Sequence, residues 1–191
     1  MVNAIPGTVT LESYVRGKSF EAIARENKKV NRALIGAALS LGANIEITDT
    51  PGYSPLANAP DMIQLAREAA ALALPDDTFE IHEQYSTGST DMGDLSAIMP
   101  VIHPYAAGSS GTSHGSDYYI TDPDAACVKS AVWQLTMMTL LLENGGARAK
   151  KIIADYTPIF ASKEKFLAYQ DSICDSGDRI TYSHDKAEVR L

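Results

Sequence analysis

The feature that most restricts this chain is the stretch from Asp122 to Gly146. Asp122 and Pro123 form a helix start: an N-cap carboxylate, then a proline whose fixed φ and missing N–H suit the first helical position. Asn144, Gly145 and Gly146 form a stop, because these residues enter the left-handed region at least cost. Between them, Ala125 to Leu142 is largely apolar, interrupted by Lys129, Ser130, Gln134, Thr136 and Thr139. Such interruptions predict a buried helix of a soluble protein and not a membrane span.

A helix of that kind must pack on other elements, and the flanking patterns predict them. Thr8 to Arg16 (TVTLESYVR) alternates, with Val9, Leu11, Ser13 and Val15 on one side, and predicts a strand with one packed face. Ser19 caps a helix whose Val30, Leu34, Ala37, Ala38 and Leu41 follow the 3.6 period; Gly42 stops it. Residues 43–48 (ANIEIT) predict a second short strand, which completes a β-α-β unit before the Pro51-Gly52 turn. A second helix opens at Pro60 and carries Met62, Ile63, Leu65, Ala66, Ala69, Ala70 and Ala73 on a broad apolar face. Strands are expected at Phe79–His82 and Met99–Tyr105, helix again over 147–170, and a loose polar tail over 171–191. Strand alternates with helix in both halves, so the expected class is α/β or α+β, with a boundary in the Pro/Gly-rich residues 51–58.

At 191 residues the chain can bury one good core or two small lobes. A net charge of −8, with no Lys/Arg run, argues against nucleic acid or an anionic membrane as partner. The start, MVNAIPGTVT, shows neither the basic nor the apolar region of a signal peptide. Cys127 and Cys174 lack C-x-x-C spacing, and a reducing cytoplasm is the expected compartment.

The chemistry concentrates in residues 88–117 (GSTDMGDLSAIMPVIHPYAAGSSGTSHGSD). GTSHG at 111–115 matches the G-x-S-x-G pattern of a serine nucleophile, Ser113. That motif requires a sharp strand-to-helix turn, and AAGSSGT before it is a poor strand. A phosphate loop would need Lys after its last Gly and a helix directly behind it; neither is present. His114, His103, Asp91 and Asp94 are donors that zinc or manganese accept, but catalytic zinc takes about three protein ligands. The chain contains no H-x-D, H-E-x-x-H or Glu-Glu pair. Asp91 could instead cap a short helix around DLSAI, and either His could be a hydrogen-bonded structural residue. Spacing alone leaves these alternatives open.

GSTDMGDLSAIMPVIHPY followed by SHGSDYY resembles the C-terminal signature of the metal-dependent aminoacylase and carboxypeptidase-G-type amidohydrolases. The likeness is nearest to the branch containing aminobenzoyl-glutamate utilisation protein B. The turn Asn3-Ala4-Ile5-Pro6, with the strand ending at Val15-Arg16, resembles the second half of that family's lid domain. PGYSPL at 51–56 resembles the return to the catalytic domain. The resemblance implies an α+β lid remnant over 1–52, the C-terminal part of an α/β catalytic domain with a mixed sheet over 53–170, and a tail over 171–191.

It also implies a two-metal hydrolase, with zinc or manganese, that cleaves the amide bond of N-acyl amino acids or dipeptide-like substrates. His114 then corresponds to the last metal ligand, Arg16 to the group that grips the substrate carboxylate, and Asn3 to a residue lining the same pocket. A guanidinium suits that grip because its fork pairs both carboxylate oxygens. Asp91 and Asp94 correspond to residues beside the metals that are not direct ligands. The family's other ligands, its Glu base and its lid His have no counterpart in this sequence. The expectations that follow are a chain inactive alone, at most one weakly held metal, a possible N-terminal half as partner, and self-association through exposed strands and uncovered apolar faces. A non-catalytic assembly or carboxylate-binding module is the alternative.

Overall fold

The computed structural model describes residues 3–82 and 88–191, and the chain divides into two compact units. One comprises Met1–Pro55 with Gln170–Leu191; the other is Leu56–Tyr169. The break after Pro55 falls inside the Pro/Gly-rich stretch. The class is α+β: among the described residues, helices are joined by three small two-stranded sheets, all antiparallel.

In the first unit, α1 (Phe20–Ser40) begins where Ser19 turns back, its Oγ accepting from Ala22 N at 3.2 Å. It ends at Leu41 and Gly42, and Gly42 sits at φ +66°, a value that favours glycine. The chain then runs into β1 (Glu46–Asp49). Its partner is β4 (Asp175–Asp178), paired so that Ile47 faces Gly177 and Thr48 faces Ser176. Next come β5 (Ile180–Ser183) and β6 (Lys186–Val189), a hairpin whose turn places His184 at φ +48°. Ile35, Ile47 and Ile180 form the buried core, with Leu34, Ala38 and Ile45 against it.

Arg179 closes this unit. Its side chain is almost wholly buried, 2.8 Å from Asp175 Oδ2, and it donates to Ile47 O at 3.4 Å. Arg190 donates to the other oxygen of Asp175 at 2.6 Å. The hydrogen bond from Arg179, then the charges of Arg179 and Arg190, hold the Asp175 carboxyl below the usual carboxylate range. Asp175 therefore contributes stability that is fully present above its unfolded value, about 3.9. That contribution is lost as pH falls through the lower folded value. Urea midpoints measured across that acid window are expected to fall more steeply for the parent chain than for Asp175→Asn. Parallel curves would remove the role given to this pair.

Several expectations fail here for one reason. Thr8–Arg16 is mostly exposed and forms no strand ladder among the described residues. Period two marks a face, and a ladder also needs a neighbouring backbone. The β-α-β unit is therefore absent, because β1 pairs with β4, far along the chain. The tail expected to be loose instead carries β4, β5 and β6. Its Ile180 is buried against α1 and β1, and the buried Arg179 bonds to Ile47 O, contacts with no local signature.

In the second unit, α2 (Pro60–Ala73) packs along α4 (Ser130–Asp155). Pro60 occupies the first helical position, as the sequence predicts. Leu65, Ala66, Ala69 and Ala70 meet Trp133, Met137 and Leu140, and the alanines allow close approach. Trp133 Nε1 donates to Ala66 O at 2.8 Å, and Phe79 meets the indole edge-on at 5.6 Å. Ahead of α4, Asp122 accepts from Ala125 N, and Asp124–Lys129 forms one wide π-type turn.

The expected stop is a kink: Asn144, Gly145 and Gly146 take φ of +52°, +68° and +74°, after which the helix resumes. Arg148 beyond the kink pairs with Glu68 at 2.6 Å. The helix expected to be buried is buried on one face only. Phe79–His82 and Met99–Tyr105 are not strands. Phe79 packs on Trp133, while Val101 O and His103 N bond to Ala59 N and Asn58 Oδ1 and not to a ladder.

Candidate functional site

His114 lies in a small hairpin of the second unit. β2 (Ser109–Ser110) and β3 (Tyr119–Ile120) pair with Ser109 opposite Ile120 and Ser110 opposite Tyr119. The loop between them is fixed from inside. Asp117 Oδ2 accepts from both Thr112 N and Thr112 Oγ1 at 3.2 Å, and Gly115 N donates to Thr112 O at 2.7 Å. Gly111 has φ +101°, and a Cβ there would stand 2.2 Å from Asp117 O. A Cβ on Gly115 would stand 2.4 Å from Asp117 Oδ1. The glycines thus let the backbone fold onto the Asp117 carboxylate. Ser113 and His114 are left exposed at the tip, and His114 takes φ +62°. An imidazole in that conformation carries strain that the clamp supports.

The same geometry bears on Ser113. A nucleophile elbow needs a strand running directly into a helix. Here the preceding strand has two residues and the next helical turn starts at Asp124. The serine has no helix behind it to aim backbone N–H groups at an oxyanion.

Asp91 and Asp94 lie on α3 (Asp91–Ser96). The capping group is Thr90, whose Oγ1 accepts from Met92 N at 3.3 Å, and not Asp91. Asp91 is exposed in the first turn, where a carboxylate suits the helix dipole; Asp94 is half-buried. Ser96 knits α3 in place: it donates to Gly93 O, accepts from Ala57 N, and its carbonyl accepts from Tyr156 Oη at 2.7 Å. Burial pushes the Tyr156 phenol up, so this hydroxyl is a structural donor. His103 Nδ1 stands 3.5 Å from Thr90 Oγ1 and its ring 5.5 Å from that of Tyr105. A shallow cleft of about 320 Å³ lies between Ala59–Asp61 and Ile152–Thr157, away from the hairpin in sequence and lined by none of the predicted site residues.

Arg16 and Asn3 belong to the first unit, and both are exposed. The Arg16 guanidinium lies 5.4 Å from the centre of the Tyr14 ring, a cation–π distance. Among the described residues, no group of three or more His, Cys, Asp or Glu gathers as a metal site. Sequence reasoning missed Asp117 and Thr90, although the T-x4-D spacing inside a Gly-flanked loop is a usable signal for the first. Comparisons of the chain with protein-family models, curated proteins and solved structures find no match.

Proposed function

We propose that this chain supplies the late metal-ligand loop and the carboxylate-gripping arginine of a two-metal amidohydrolase acting on N-acyl amino acids or dipeptide-like amides. One observation carries the reading: within the long signature that resembles this class, His114 is exposed at the tip of a hairpin clamped by Asp117, Gly111 and Gly115. Zinc or manganese in such enzymes supplies an activated water.

The described residues do not fit a dinuclear centre by themselves. They offer one imidazole at this loop, against the roughly three protein ligands a catalytic zinc takes. The remaining ligands and the Glu base are assigned to a second polypeptide segment, and the isolated chain is proposed to be inactive. On the same reading the first unit is half of a lid and the second is part of an α/β catalytic domain. The exposed, unbridged Cys127 and Cys174 accord with a reducing cytoplasm.

The test is hydrolysis of a panel of N-acyl amino acids with zinc or manganese. The chain is assayed alone and beside an amidohydrolase N-terminal half bearing H-x-D and Glu-Glu. No turnover alone and turnover in the mixture are expected, with His114→Ala lowering the latter at least about 100-fold. Two tightly held zinc ions on the chain alone would overturn the inactivity. A mixture that stays silent would overturn the amidohydrolase reading.

The second reading, a carboxylate-binding module, is favoured by Arg16 seated beside Tyr14. On that reading Arg16→Ala abolishes binding of an N-acyl amino acid while a chelator leaves it unchanged.

A further inference from the structure

We draw no further inference here: the strongest candidate, the exposed apolar outer face of α4 formed by Val132, Leu135, Met138 and Leu142, carries nothing because nothing in the structure shows what covers it.

Discussion

Trp133→Ala is expected to destabilise the Leu56–Tyr169 unit by about 3–5 kcal/mol, the range for removing a large aromatic from a packed core. The indole is nearly fully buried, fills the space between α2 and α4, and receives Phe79 on its edge. Its Nε1–H bond to Ala66 O fixes the position of one helix along the other. Trp133→Phe separates the two contributions, since it retains most of the packed area and loses a hydrogen bond worth about 1 kcal/mol. Trp133 is the chain's single tryptophan, so unfolding must be followed by far-UV circular dichroism. A urea midpoint for the alanine variant no lower than that of an exposed-site control would mean that α2 and α4 do not pack as described.

Gly111→Ala is expected to dismantle the His114 hairpin while leaving the helices folded. At φ +101° an L side chain is strained by about 1–3 kcal/mol. The added methyl would also meet the Asp117 carbonyl at 2.2 Å, a backbone atom that cannot step aside without breaking the loop. The Asp117–Thr112 hydrogen bonds should be lost with it. Amide chemical shifts over residues 108–121 should move widely while those of α2 and α4 hold. In the two-polypeptide hydrolysis assay the variant should resemble His114→Ala. Unchanged shifts would show that the clamp does not set the imidazole's position.

The helix signals were legible because their causes are local. Ser19 and Asp122 accept from backbone N–H groups within one turn of themselves, Pro60 removes an N–H that would have no helical partner, and Gly42 and Gly145–Gly146 relieve a conformation set by their own φ. Each can be recognised without knowing what lies elsewhere. Strands were another matter. TVTLESYVR has the alternation of a strand and no ladder among the described residues. Glu46–Asp49 finds its partner at Asp175–Asp178, in a segment whose polarity reads as tail. The His114 loop was recognised by residue pattern, whereas its clamp needed coordinates, because an Asp oxygen reaching a Thr amide depends on the path of the turn.

By itself the sequence determined where the helices after Ser19, Ala59 and Asp122 begin and which of their faces are apolar. Only the tertiary structure decided which strands pair, that Arg179 and Asp175 fasten the C-terminal segment to β1, and that α4 buries one apolar face and leaves the other bare. The physical reason is range. A cap, a turn or a helical stripe is fixed by forces acting over a few residues. The ladder and the buried Arg179 hydrogen bond to Ile47 O join groups more than a hundred residues apart in the first unit, and these exist only once the chain has closed on itself.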